Sequence, residues 1–139
     1  MATMKIKDVF EEPIFISPST TKAELKKIAK RHPHTDLFIV ADKKKKFLGT
    51  IHEDDLFLMF IPNELYEEIG GGFGMELERR FFAKNASEVM SKHDLSCTED
   101  DSIIDIATLL AREEADAIPV LKEGKVIGVV NRGTLVRYL

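Results

Sequence analysis

Short apolar runs and stretches of helical period follow one another in a fixed order, and the order occurs twice along the chain. In the first pass, residues 13–17 form an extended opening. Leu25, Ile28 and Ala29 then fall on one face of a helix predicted over 22–31. Ser19, Thr20 and Thr21 are its candidate N-caps. His32-Pro33-His34 ends it, because a residue before proline is pushed out of the helical region. Residues 37–40 predict a buried strand, 42–46 a lysine-rich turn, 47–51 a returning strand, and Asp54 opens a helix. The second pass predicts a cap within 100–102, a helix to about Arg112, strands at 118–121 and 126–130 around a turn at 123–125, and a last helix start. Between the passes, 64–69 and 75–82 have short helical patterns, set apart by Pro62 and by the glycine-rich run 70–74.

The two passes match residue by residue. Residues 47–60 reappear in outline as 126–139: two apolar residues, Gly49 or Gly128, a strand-like pair, a polar cap position, a helix start. Residues 17–25 correspond to 98–106, and 37–40 to 118–121. The offset is 81 between Ser17 and Thr98 and 79 between Gly49 and Gly128, so the first copy carries two extra residues, which we assign to its lysine-rich turn. An internal repeat fixes the architecture before any single residue does. It implies a pseudo-two-fold axis, and ligands tend to sit where two halves meet.

Composition narrows the field. At 139 residues the chain fits one compact domain or two small repeats sharing a core. A net charge of −4 argues against a nonspecific nucleic-acid binder, which needs a basic face to displace counterions. Cys97 is the one cysteine, so it has no internal disulfide partner, and its apolar-alternating surroundings suggest a buried thiol. The longest apolar run, 56–61, stops at Pro62 and is too short to span a bilayer. No signal-peptide pattern opens the chain. A cytoplasmic protein with no membrane role is the expectation.

The β-α-β-β-α order, Ala117-Ile118-Pro119-Val120 at a strand start, and the spacing from Gly49 to Asp55 resemble the cystathionine-β-synthase (CBS) domain, here as a pair, often called a Bateman module. Residues 85–91 look like the usual lead-in to a second copy and 5–10 like a lead-in to the first. The resemblance covers nearly everything except 61–84. No one motif is specific, but the ordered set found twice is. It implies an α/β (α+β) fold with a first repeat at 5–60, a helical, glycine-rich insert at 61–84 and a second repeat at 85–139. It further implies a regulatory, non-catalytic module that binds AMP, ADP, ATP or S-adenosylmethionine between the repeats, and a homodimer.

The resemblance puts Asp55 against the ribose hydroxyls, a role that suits two carboxylate oxygens accepting from a cis-diol. The plainer reading is a helix-start acid: His52 at the cap and Asp55 three residues on resemble a capping box, favoured by about 0.3–1 kcal/mol from the helix dipole. His52 stands where the family usually has Thr or Ser near phosphate; it is a phosphate donor or simply an exposed cap. The resemblance places Asp55 opposite Ser91, Leu95, Asp116, Ala117, Ile118 and Pro119 of the other repeat. In the second copy Asn131 is a good N-cap, but Thr134 replaces the acid and cannot clamp a diol in the same way. It would face Glu11, Ile14, Asp36 and Leu37, with Glu11 repelling phosphate, so a weaker second site is expected there.

Other features read as structure. Lysines 43–46 are a solvated hairpin turn that blunts edge pairing. The glycines at 70–74 lack the Lys-Ser/Thr of a P-loop and suggest a hinge. His32, His34 and His93 make no metal-ligand spacing, and no nucleophile–base pair stands out. Two functions stay open: a sensor of an adenosyl ligand, and an unliganded pair that serves dimerisation or docking. The first leads; the apolar Phe73, Leu77, Phe81 and Phe82, with Thr134 and His52, are what supports the second.

Overall fold

The computed structural model describes residues 4–70, 74–92 and 95–139. After a 3-10 turn at Ile6–Asp8, the elements run β1 (Phe15–Ile16), α1 (Lys22–Arg31), β2 (Leu37–Ala41), β3 (Phe47–His52) and α2 (Glu53–Phe60). A 3-10 turn at Asn63–Leu65 leads to α3 (Tyr66–Gly70), α4 (Met75–Phe81) and α5 (Ala86–Val89). The chain closes with α6 (Ile103–Arg112), β4 (Ala117–Lys122), β5 (Lys125–Asn131) and α7 (Arg132–Val136). This is the mixed α+β fold, in two copies, that the repeat implies.

Local chemistry explains the boundaries. Thr21 caps α1 by accepting the Glu24 N–H at 3.2 Å, and the Glu24 carboxylate accepts the Thr21 N–H at 3.1 Å. That closed capping box satisfies two N–H groups the helix leaves without partners. Ser102 starts α6 in the same way, accepting the Asp105 N–H at 3.1 Å. The β4–β5 hairpin turns on Glu123 and Gly124, with φ of 52° and 79°, the left-handed pair that a two-residue turn needs to match strand twist. β1 lies parallel to β2, and β2 antiparallel to β3; in the second copy the counterpart of β1 shrinks to one parallel bridge between Cys97 and Val120. The lysine-rich turn holds only half of the extra length. The offset between copies is 81 at the helix ends Arg31 and Arg112, 80 at the strand starts Leu37 and Ala117, and 79 at Gly49 and Gly128. One added residue lies in the His-Pro connection before β2 and one in the hairpin.

The cores are built crosswise. The lead-in to the first copy packs into the second: Ile6 and Val9 sit in a buried cluster with Ile103, Ile106, Leu110, Ile118, Val130 and Leu135. The lead-in to the second packs into the first: Ala86 and Val89 sit with Ile16, Leu25, Phe38, Val40, Ile51 and Met59. Backbone bridges tie the exchange at matching points, Lys5 to Ser102 and Asn85 to Thr21, then Glu11 to Val129 and Ser91 to Thr50. The repeated glycine serves this crossing. A Cβ on Gly49 would stand 2.8 Å from the Ser91 carbonyl oxygen, and one on Gly128 would run into the Phe10 ring. A third cluster, Leu37, Ile39, Ala117, Val126 and Val129, joins the two sheets near the pseudo-two-fold axis.

The insert folds back on the first copy. α4 lies along α2, and Phe81 is fully buried there, with the Tyr66 and Phe82 rings at 5.0 and 5.2 Å. The Tyr66 hydroxyl donates to Glu78 at 2.9 Å. Residues 71–73, the centre of the glycine run read as a hinge, lie outside the described residues, as does His93. Among the described residues, no helix is long and apolar enough to cross a membrane.

Candidate functional site

Each returning strand delivers a helix start to the place where the other copy's lead-in crosses. In the first copy, Thr50 and Ser91 exchange backbone hydrogen bonds at 2.9 and 2.8 Å, and five residues after Thr50 comes Asp55. This residue is buried, 3 % exposed. One carboxylate oxygen accepts the His52 N–H at 2.8 Å, completing the helix-start geometry anticipated as the plainer reading. The other accepts from the Arg80 guanidinium of α4 at 3.2 Å. Charge-assisted bonds of this kind are the strong ones, and a carboxylate held away from water needs them.

The second copy answers with different chemistry. Glu11 and Val129 exchange backbone bonds at 2.9 Å each way. Thr134 follows Val129 as Asp55 follows Thr50, and is likewise buried. Its N–H is capped by the Asn131 side chain at 2.8 Å, and its hydroxyl donates to Glu11 at 2.7 Å. The polarity is reversed. In the first copy an acid is met by a base from the insert; in the second an alcohol is met by an acid from the lead-in.

Between these two points Asp36, His52, Glu53, Asp54, Asp116 and Arg132 line a cavity of about 190 Å³. The copies match closely: the Glu53 N–H donates to the Asp36 carbonyl at 3.1 Å and the Arg132 N–H to the Asp116 carbonyl at 3.0 Å. The charges do not match. Burial pushes the Asp36 carboxyl above its usual range, and the neighbouring Glu53, Asp116 and Glu11 carboxylates push it further. Arg132 leans on Asp116 at 3.6 Å and donates to the Ala115 carbonyl at 2.9 Å, so its charge is partly committed.

The structure therefore divides the residues the resemblance had grouped. Asp36, His52 and Asp116 share the central cavity. Asp55 stands beside Arg80, and Ser91 is held by Thr50 and opens onto the groove beside α4. Ala117 and Leu37 pack between the sheets, Ile118 points into the second core, and Pro119 is buried in β4. Leu95 and Ile14 are partly buried against the two cores. Strand residues of this kind offer backbone atoms and packing rather than side-chain contacts. Two participants were missed in the sequence, Arg80 and Arg132. Arg132 lies inside the repeated segment 126–139, at the position of Glu53 in the first copy; Arg80 belongs to no motif, and its visible signal is a pair of arginines, 79 and 80, in the last turn of an otherwise acidic helix.

An open groove of about 740 Å³ runs between α4 and α5 past Arg79, Phe82, Met90 and Ser91. Arg79 bridges its floor by donating to the Glu88 and Met90 carbonyls at 2.6 and 3.1 Å, satisfying the end of α5. Cys97 is no nucleophile: its thiol is buried, donates to the Pro119 carbonyl at 3.6 Å, and burial pushes it up to about 12, with Asp101 adding to the effect. Among the described residues no group of His, Cys, Asp and Glu could hold a metal ion.

Comparison with known proteins agrees with the fold in two copies. The family model for the CBS domain matches residues 6–60 and again 86–139. None of the curated proteins matches the chain. The CBS domain pair of protein MJ0100, solved in complex with 5′-methylthioadenosine and S-adenosyl-L-methionine, superposes with a TM-score of 0.77 over 99 % of this chain and 96 % of its own, at 19 % identity. CBSX2 in complex with AMP gives 0.75 over 97 % and 95 %, at 22 % identity. The CBS domain of a membrane protein from Sphaerobacter thermophilus gives 0.73 over 99 % and 88 %, at 26 % identity.

Proposed function

We propose, from the premise that this chain belongs to the CBS domain family and carries that domain twice, that it is a cytoplasmic regulatory module that binds an adenosyl ligand between its two copies and catalyses nothing. Support comes from full-length likeness to pairs solved with 5′-methylthioadenosine, S-adenosylmethionine and AMP. In this reading Asp55 takes the ribose hydroxyls, and the β4 start, Ala117 to Pro119, lies along the base. The 5′ substituent then points to His52 and the central cavity. Thr134, Asn131, Ile14, Asp36 and Leu37 form the weaker counterpart.

The acidity of that cavity carries the choice of ligand. Asp36, Glu53, Asp54 and Asp116 line it against one partly committed arginine. Unit charges about 4 Å apart interact by about 4 kcal/mol at an effective dielectric of about 20, and a phosphate carries about one to two of them. The 5′ group that fits is a neutral thioether or a cationic sulfonium rather than a phosphate. Calorimetry with 5′-methylthioadenosine, S-adenosylmethionine, AMP, ADP and ATP tests this. The thioether and sulfonium compounds should bind at least about tenfold more tightly than any nucleotide, a difference of about 1.4 kcal/mol. If nothing binds more tightly than about 1 mM, near −4 kcal/mol, the sensor reading fails and the unliganded docking module replaces it.

The same module is a homodimer in this proposal. Phe57 on α2 and Val136 on α7 occupy equivalent positions in the two copies and are 68 % and 69 % exposed, and Leu139 lies beside Val136. A C2 partner would cover both copies at once. Light scattering should give twice the chain mass at tens of micromolar, and Phe57→Glu with Val136→Glu should give the monomer. A monomeric native chain would remove the dimer.

A further inference from the structure

The Asp55 carboxylate that the adenosyl reading assigns to ribose is already engaged. Its side chain is 4 % exposed, one oxygen accepts the His52 N–H, and the other is bound by Arg80 at 3.2 Å. Arg80 does not come from either copy of the repeat. It sits near the end of α4, 25 residues from Asp55, in the insert between the two copies. At the equivalent place in the second copy the lead-in supplies an acid instead, Glu11, which accepts from the Thr134 hydroxyl.

We propose that Arg80 is an internal competitor for Asp55, so that α4 closes the cleft in the unliganded chain and a ligand enters only as Arg80 withdraws. A diol and a guanidinium both satisfy a carboxylate by donating hydrogen bonds, and both need the outward-facing oxygen. The inner oxygen is held by α2 itself and stays where it is. The guanidinium has somewhere to go: the Arg80 side chain is 28 % exposed, so on release it reaches water and leaves no buried charge behind. α4 is held by few side chains. Phe81 is its one buried residue, and its polar anchors are Tyr66 to Glu78 and Arg79 to two carbonyls of the α5 end. Arg79 lies beside Arg80 in the chain, so movement of Arg80 disturbs the Arg79 hold on the Glu88 and Met90 carbonyls. Ligand occupancy would thus appear at the surface as loosening of α4, the only way a ligand can shift such an equilibrium being to favour one arrangement over the other. The switch rests on the adenosyl reading, and its test separates the two.

The test is calorimetry with 5′-methylthioadenosine on the native chain and on Arg80→Gln, together with hydrogen exchange on the native chain alone. Removing the competitor should tighten binding about ten- to a hundredfold, the span of a charge-assisted hydrogen bond. Adding ligand to the native chain should speed exchange at 78–82. Equal or weaker binding by Arg80→Gln, with the native chain binding, overturns the switch and leaves the adenosyl site standing. Slower exchange at 78–82 on ligand addition also overturns it, because α4 would then be clasping the ligand. No binding by either protein overturns the adenosyl reading, and the switch falls with it. The exchange experiment needs no substitution, so a poorly folded variant does not blunt it.

Discussion

Ile6→Ala is expected to cost about 2–5 kcal/mol of stability, and to loosen the second copy rather than the first. Ile6 precedes every strand of the first repeat in sequence, yet it is fully buried among Ile103, Leu110, Ile118 and Leu135. Its backbone is committed to the same place: its N–H donates to the Asp101 carbonyl at 2.9 Å, and the Ile103 N–H donates to the Met4 carbonyl at 3.1 Å. Truncation leaves a cavity there that α6 and β4 cannot close without moving. Against a typical total of about 5–15 kcal/mol, the loss is a large fraction. Urea unfolding measures its size. Native-state hydrogen exchange shows its location: protection should fall in α6, β4 and β5. A loss confined to β1–β3 would mean that the lead-in belongs to its own repeat. Val89→Ala, the mirror substitution, should loosen β2 and α1 instead. The glycines at the crossing should be nearly as sensitive. Gly49→Val would push against the Ser91 backbone, and Gly128→Val against Phe10, each at about 1–3 kcal/mol of overpacking.

The crossing also marks where the sequence stops being readable. Elements were legible because each is set by local chemistry: α1 and α6 begin at Thr21 and Ser102, two of the capping candidates, and the buried strands sit within one or two residues of their apolar runs. The recurrence of Gly49 as Gly128 was visible; its reason was not, because it lies in the other copy. Ile6-x-x-Val9 and Ala86-x-x-Val89 have the same apolar spacing, so the pattern alone does not say which core each enters. The contact of Thr134 with Glu11 was anticipated through the family resemblance, although as a clash with phosphate rather than a hydrogen bond. Arg80 had no such guide. Its partner is 25 residues away across an insert that neither the repeat nor the resemblance covers. The acidic centre was present in the sequence as Asp36 and Asp116, each just before a strand, but only the pairing of the sheets brings them to one cavity.

Asp55→Asn should weaken an adenosyl ligand by about 1.5–3 kcal/mol, roughly ten- to over a hundredfold, the value of a hydrogen bond to a charged acceptor. The amide oxygen can still accept the His52 N–H, so the start of α2 survives and the measured loss belongs to the ligand. The native background understates it. There the ligand must first displace Arg80, so part of the carboxylate's attraction is offset by the release of the guanidinium, and Asp55→Asn removes both at once. The full loss should appear when Asp55→Asn is compared with native Asp55 in an Arg80→Gln chain. A 2′,3′-dideoxy analogue gives the complementary measurement. It should lose a similar amount against the native carboxylate and little more against the Asp55→Asn chain, because the interaction it deletes is already gone. Thr134→Ala should change affinity far less: its hydroxyl is given to Glu11, and it has one donor where a diol needs two acceptors. Calorimetry on these variants with 5′-methylthioadenosine and its dideoxy form decides the matter. Equal penalties for the dideoxy compound against the native and Asp55→Asn chains would place the ribose elsewhere and leave Asp55 as the acid that starts α2 and holds α4.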